Sequence, residues 1–267
     1  MTRLDGKRVI ITGAGDGLGR AYALACADAG ASIVVNDVDA ESAVGTVTAI
    51  RERSGFAVPV IGSVASWTIA EELTRVCIAE FGGVDGLVAN AGIMRQTAPW
   101  DATEADLRAI AEVNILGVQF CARHAMRAML ASGGSIVTVV SGAQHGIRGM
   151  SAYGASKGAV NAMTRNWAIE GSDHSIRVNA VSPLGLTNMS AQDARAERPD
   201  LPPTGRIAPV VVALLSDDTA SVSGRIIRFD GAALSSYQTV LAQIATSDEW
   251  TADAVSQAIT AFPETAP

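Results

Sequence analysis

The most constraining stretch of this 267-residue sequence is Thr12-Gly13-Ala14-Gly15-Asp16-Gly17-Leu18-Gly19. It joins a β-branched run, Arg8 to Thr12 (RVIIT), to a helical stretch from about Leu18 to Ala29. Glycines at such a junction let the chain turn tightly and bring its backbone close to a ligand. The start of a helix adds unpaired N–H groups and the positive end of the helix dipole, which suit a pyrophosphate. With a strand before it and a helix after it, the loop predicts dinucleotide binding through Gly13, Asp16, Gly17, Leu18 and Gly19.

The remainder alternates in the same rhythm. Strands are expected at Ser32–Asn36, Ala57–Ile61, Gly86–Ala89, Ser135–Val140, Ile176–Val181 and Arg225–Phe229. Helices are expected from Asp39 to Arg53, Ser66 to Phe81, Thr103 to Ala131 with an interruption near Asn114, Ser151 to Glu170, and Ile207 to Leu215. In the helix from Ser66 to Phe81, Ile69, Leu73 and Val76 share one face. Parallel strands need crossover helices, so the pattern implies one Rossmann-type, doubly wound parallel sheet with helices on both faces. No linker divides residues 1–267, which read as one domain with a substrate loop at 184–205 and a C-terminal extension at 234–267. Within that extension, Ser247 to Phe262 reads as a helix capped by Ser247 or Thr251. It could cover the substrate mouth, meet a neighbouring subunit, or dock on its own domain.

Composition narrows the function. Apolar residues are 48%, charged residues 18% and the net charge is -7, which excludes a disordered chain and argues against a nucleic-acid partner. Cys26, Cys77 and Cys121 are odd in number and widely spaced, and His124, His145 and His174 stand apart, so buried thiols and no metal site are expected. The N-terminal apolar run is too short for a signal peptide, and no stretch is long enough to span a membrane. A soluble, cytoplasmic protein is the expectation.

Two further signals carry chemistry. Asp37 ends the second strand, roughly 20 residues past the glycines, where an acid can accept hydrogen bonds from the adenosine ribose and repel a 2'-phosphate. No Arg or Lys occupies positions 14–16 or 38, so NAD is favoured over NADP. Tyr153-Gly154-Ala155-Ser156-Lys157 holds one of only two lysines, against eighteen arginines. Spacing i, i+4 puts the phenol and the ammonium on one helix face. A phenol titrates near ~10, and a fixed cation beside it is expected to lower that value into the range of a useful acid–base group.

These motifs together resemble the short-chain dehydrogenase/reductase family, in its TGxxxGxG and YxxxK branch, from about Leu4 to Gly231. The resemblance implies that Thr12, Gly13, Gly17 and Gly19 hold the cofactor, with Ser63 and Val64 near the adenine. It implies that Asn90, Ala91 and Gly92 flank the cofactor, and that Pro183, Gly185 and Thr187 close over the nicotinamide. It also implies a catalytic set of Asn114, Ser141, Tyr153 and Lys157, with Asn114 holding a relay water and Lys157 also reaching the nicotinamide ribose. The chain departs from the family pattern at Val140, Ser63 and Leu184, and its Ser141-to-Tyr153 spacing is one residue shorter than the commonest. None of these departures removes a member of the catalytic set.

The implied activity is hydride transfer between a secondary alcohol and its ketone, on a hydrophobic alicyclic, steroid-like or aromatic substrate. Met94, Gln144, His145, Arg148, Met150, Leu184, Leu186 and Met189 are candidates for the pocket wall, although the methionines would equally serve as core. Arg95 and Arg148 could meet an anionic group or lie solvated. The resemblance further implies a homodimer or homotetramer, with the helices near Thr103–Ala131 and Ser151–Glu170 and the strand near Arg225–Phe229 at the interfaces.

Overall fold

The computed structural model describes residues 3–185 and 201–262. Eight strands form one sheet in the order β3-β2-β1-β4-β5-β6-β7-β8. They are β1 (Arg8–Thr12), β2 (Ser32–Asp37), β3 (Phe56–Ile61), β4 (Gly86–Ala89), β5 (Gly134–Val139), β6 (Ile176–Pro183), β7 (Ile226–Phe229) and β8 (Leu234–Tyr237). All adjacent pairs are parallel except β7 with β8, which run antiparallel.

The helices are α1 (Gly17–Asp28), α2 (Ala40–Glu52), α3 (Trp67–Phe81), α4 (Glu104–Ala111), α5 (Gly117–Met129), α6 (Ser151–Glu170), α7 (Pro209–Leu215) and α8 (Ala252–Ala261). Local chemistry sets several of their starts. Asp39, Ser66 and Thr103 each accept a backbone N–H three residues on, at Ser42, Ile69 and Asp106, which fixes the openings of α2, α3 and α4. Gly82 adopts φ +87 and ends α3 in the left-handed conformation, where a side chain would be strained. The buried face of α3 is Ala70, Leu73, Thr74 and Cys77 rather than the expected Ile69–Leu73–Val76 stripe, which is turned by about one position.

Two hydrophobic cores cover the two sides of the sheet. Val9, Ile11, Ile33 and Val35 pack in one, with Tyr22, Ile50 and Val211 from the helices. Ile10, Val34, Leu87 and Ile136 pack in the other, with Leu73, Ala122, Met129 and Val160. Neighbouring strand residues therefore feed opposite cores, as the pleat requires, and near-continuous apolar runs result. All three cysteines are buried and free, and burial pushes each thiol up to about 12. No helix of the described residues is long and apolar enough to cross a membrane.

By their contacts the residues form two units, Met1–Tyr237 and Gln238–Pro267. In the second unit, Thr251 caps α8 by accepting the Ala254 N–H; of the two proposed caps it is the one used, and the helix is shorter than Ser247–Phe262. Strand β8 was not expected from the sequence. It pairs Tyr237 with Ile226 and Leu234 with Phe229 along the outer edge of β7. The backbone edge of β7 is thereby paired within the chain.

Candidate active site

The strand order reverses between β1 and β4, and a cleft of about 320 Å³ opens beside that switch point at the strand ends. Asn90, just beyond β4, ties the two strands together. Its side-chain amide donates to the carbonyls of Thr12 (3.0 Å) and Gly13 (3.1 Å). In return the buried Thr12 hydroxyl accepts the backbone N–H groups of Asn90 (3.1 Å) and Ala91 (3.0 Å). Gly13 follows at φ +61, so its carbonyl turns toward Asn90 while the chain swings into α1.

The glycines leave room that any side chain would fill. A Cβ on Gly19 would stand 1.9 Å from the Gly13 carbonyl oxygen, and one on Gly13 would stand 2.9 Å from Ala91 Cα. A Cβ on Gly15 would meet Asp37 Oδ2 at 2.9 Å. Asp37 Oδ2 accepts the Gly15 N–H (2.9 Å), and Oδ1 accepts that of Asp39 (3.1 Å), so the acid is aimed by backbone on both sides. Asp39, not Asp37, caps α2, and this leaves Asp37 on the cleft.

The cleft is lined by Gly13, Asp16, Gly17, Leu18 and Gly19, by Asp37, Ser63 and Val64, by Asn90, Ala91 and Gly92, and by Tyr153 and Lys157. The other expected cofactor positions within the described residues, Thr12, Pro183 and Gly185, do not line it; Thr12 instead ties β1 to Asn90 and Ala91. Gly185 is buried, where an added Cβ would meet Ile207 (3.2 Å) and Leu18 (3.5 Å). Thr187, Leu186 and Met189 lie outside the described residues. Asn36, Val38, Gly62, Ile93 and Val113 also line the cleft and were missed by sequence reasoning. Asn36, Val38 and Gly62 follow from β2 and β3 ending beside the loop; Ile93 and Val113 carry no local sequence signal.

Tyr153, Lys157, Ser141 and Asn114 come together from three elements. Lys157 is buried, 3% exposed, and its Nζ donates to the Val139 carbonyl at 2.8 Å. Its ammonium lies 5.7 Å from the centroid of the Tyr153 ring. Burial lowers the Lys157 pKa to about 8. Burial also raises the Tyr153 pKa above its ordinary value, while a hydrogen bond with Ser141 works in the opposite direction. Burial of the phenol thus works against the lowering expected from the Lys157 ammonium.

Asn114 is wholly buried in a π-turn, Glu112–Leu116, between α4 and α5. Such turns shift the hydrogen-bond ladder by one residue, which places a side chain no regular helix would. Asn114 Oδ1 accepts the Ile93 N–H (2.8 Å), and Nδ2 donates to the Ile93 carbonyl (2.8 Å) and Ser156 Oγ (3.0 Å). Ser156 in turn donates to the Tyr153 carbonyl (2.7 Å), so Asn114 reaches the Tyr153 turn through one hydroxyl. A Cβ on Gly92 would stand 3.3 Å from Asn114 Oδ1 and 3.5 Å from Lys157 Nζ, so this glycine keeps the space between them open.

Ser141 heads a 3-10 turn, Gly142–His145, and its hydroxyl caps that turn by accepting the Ala143 N–H at 3.2 Å. Of the substrate candidates within the described residues, none lines the cleft itself. Gln144 accepts from Asn161 Nδ2 (2.8 Å), His145 packs on Tyr237, and Met150 is buried at the head of α6. Met94 and Leu184 are half-buried, and the Leu184 N–H is taken by the Phe229 carbonyl at 2.9 Å. Arg95 pairs with Asp106 at 3.2 Å, while Arg148 is exposed.

A parallel sheet with its cleft at the switch point, a glycine-cradled helix start, and a Tyr–Lys–Ser cluster define a dinucleotide-binding α/β oxidoreductase fold. Comparison with known proteins places it further. A family described as short chain dehydrogenase matches residues 7–199, and the chain belongs to that family, whose members use a nicotinamide cofactor. It is 38% identical over 236 residues to cis-4-hydroxycyclohexanecarboxylate dehydrogenase of Sinomonas cyclohexanicum, covering 83% of this chain and 94% of that one. It is 33% identical over 241 residues to a 3-oxoacyl-[acyl-carrier-protein] reductase of Thermotoga maritima, covering 86% and 98%. A short chain dehydrogenase from Burkholderia cenocepacia, solved in complex with NADP, superposes with a TM-score of 0.79 at 30% identity, covering 86% of this chain and 98% of that one.

Proposed function

We propose that this oxidoreductase interconverts a secondary alcohol and its ketone with NAD, on a hydrophobic, ring-containing substrate. The observation that carries the reading is the meeting of Tyr153, Lys157 and Ser141 beside a cleft that also holds Asp37. Asp37 ends β2 and the Ser141 turn follows β5, three strand spacings away, or about 14 Å across the sheet. That separation suits a dinucleotide laid over the strand ends, with the bare glycines beneath its phosphates. When bound, the nicotinamide accepts or supplies the hydride.

The chain's own residues manage the oxygen and its proton. Ser141 donates a hydrogen bond to the substrate oxygen where negative charge gathers. Tyr153 as the neutral phenol hands its proton to that oxygen as a ketone is reduced, and Tyr153 as the phenolate takes the hydroxyl proton as an alcohol is oxidised. A phenol held above its ordinary pKa favours the reductive proton transfer at neutral pH, so alcohol oxidation rises as pH increases. Lys157 holds its cation near the ring and reaches the ribose, and Asn114 fixes the Ile93 and Tyr153 backbones on which both depend.

For the cofactor, Asp37 supports NAD: Lys157 is the one basic side chain among the described lining residues, and it stands at the Tyr153 turn rather than beside Asp37. For the substrate, Ile93 and Val113 give an apolar wall, and a relative acts on a hydroxylated cyclohexane ring. A cytoplasmic homodimer or homotetramer completes the reading. Its interfaces would use the α5 and α6 faces, where Phe120, Met126, Leu130 and Trp167 line a groove, and the sheet end at β7.

The test is an absorbance screen at the NADH band with NAD and NADP, offering alicyclic, steroidal and aromatic secondary alcohols and 3-hydroxyacyl thioesters. Reduction of NAD by a cyclic alcohol is expected. Turnover confined to NADP with acyl thioesters would overturn the reading.

A further inference from the structure

The turn that carries Ser141 is held from two sides. On one side is α6. A Cβ on Gly154 would stand 2.5 Å from the Ala143 carbonyl oxygen, so this helix approaches the turn as closely as a glycine allows. Asn161, two turns further along α6, donates to Gln144 Oε1 at 2.8 Å while Arg165 Nε donates to Asn161 Oδ1 at 3.1 Å. Arginine can only donate, so Asn161 must accept there, and the orientation of both amides follows from it.

On the other side is β8. Tyr237 lays its ring on His145, with centroids 4.6 Å apart and planes inclined at 33°. Its hydroxyl accepts from Arg228 Nη1 at 3.1 Å. Both atoms stand directly behind Gly142: a Cβ there would lie 3.3 Å from Arg228 Nη1 and 3.6 Å from the Tyr237 hydroxyl. Gly142 follows Ser141 immediately, and extended backbone at Ser141 (φ -148, ψ 152) sends successive side-chain directions to opposite sides. The Ser141 hydroxyl therefore points away from this pair, toward Tyr153.

We infer that Tyr237, backed by Arg228, is a positioning residue for the reaction: it presses the Gly142–His145 turn against α6 and so fixes where Ser141 presents its hydroxyl. Tyr237 reaches the chemistry only through the turn; it touches no reacting atom. The inference rests on the proposed role of Ser141. It assigns a task in catalysis to the end of the sheet, beyond the last of the recurring motifs. A displacement of catalytic groups by ~1 Å costs up to about a hundredfold in rate, so even a slack turn should be visible in turnover.

The test uses Tyr237→Phe, Tyr237→Ala, Arg228→Leu and the Arg228→Leu/Tyr237→Phe double variant in the full chain. Tyr237→Phe keeps the ring on His145 and loses only the hydroxyl. It is expected to lower kcat severalfold, and Tyr237→Ala by about ten- to a hundredfold. The KM for NAD should be unchanged in both, because the glycine cradle is untouched. The double variant should lose no more than the worse single variant, since both changes break the same bond. Hydrogen exchange supplies a readout independent of activity: the Ala143 and Gly146 amides, bonded to Ser141 Oγ and the Ala143 carbonyl, should exchange faster in Tyr237→Ala.

Unchanged exchange at these amides would overturn the brace itself. Faster exchange with unaltered kcat would overturn its task in catalysis. An inactive parent enzyme, or a Ser141→Ala variant with full activity, would instead remove the reading on which the inference stands.

Discussion

Replacing Lys157 with methionine isolates the electrostatic cost of the site. The side chain is buried, and burial takes its pKa from 10.5 to about 8. The sign follows from proton counting. Above pH 10.5 the amine is neutral whether the chain is folded or not, and there is no penalty. Between 10.5 and 8 the unfolded chain binds a proton that the folded chain resists, so stability falls as pH is lowered; below 8 the full penalty applies. The difference from 10.5 to about 8 is worth about 3 kcal/mol. Lys157→Met removes that dependence, and its loss of the 2.8 Å bond to the Val139 carbonyl adds a penalty of roughly 1–3 kcal/mol. The assay is urea unfolding of both proteins without cofactor, from pH 7 to 10.5. The parent should gain about 3 kcal/mol relative to the variant across that range. Parallel stability curves would refute the reasoning, because they would mean the ammonium is not held out of water.

Two other perturbations probe the cleft. Gly19→Ala places a methyl 1.9 Å from the Gly13 carbonyl and forces the loop apart; NADH binding, followed by fluorescence, should be lost while the sheet stays folded by circular dichroism. Asp37→Asn keeps the shape but removes the charge aimed by the Gly15 and Asp39 amides. The preference for NAD over NADP, read as a ratio of kcat/KM, should fall by about 10- to 100-fold, the scale of one charge pair a few ångströms apart at partial exposure.

Much of this architecture is legible in the sequence because local and global signals agree. The run RVIIT before the glycines, the alternation of strands and helices, and capping residues such as Asp39 and Ser66 each imply the element the structure contains. The glycine-loop side of the candidate site was legible for the same reason: it is built from strand ends, and strand ends follow from the pattern. What was not legible depends on contacts far apart in the chain. The phenol of Tyr153 was expected to be lowered by its neighbour, but its burial, which raises it, is set by the whole cleft and not by spacing i, i+4. Ile93 and Val113 reach the cleft through a loop and a π-turn with no periodic signal. Strand β8 did have a local mark, Asp230-Gly231, a dipeptide that favours hairpins. There Asp230 Oδ1 accepts the Ala232 (2.9 Å) and Ala233 (2.6 Å) amides, and Gly231 adopts φ +83. The β8 sequence LSSY puts a serine on each face, Ser235 and Ser236, and so lacks the alternation that announces a strand.

The proton-transfer assignment of Tyr153 meets its most direct test in Tyr153→Phe, which deletes one oxygen. NADH should bind within about twofold of the parent, because the glycine cradle and Asp37 are intact, while kcat for a cyclic secondary alcohol should fall by roughly 10²–10⁴. A variant that binds NADH normally and turns over at a rate close to the parent would contradict the account.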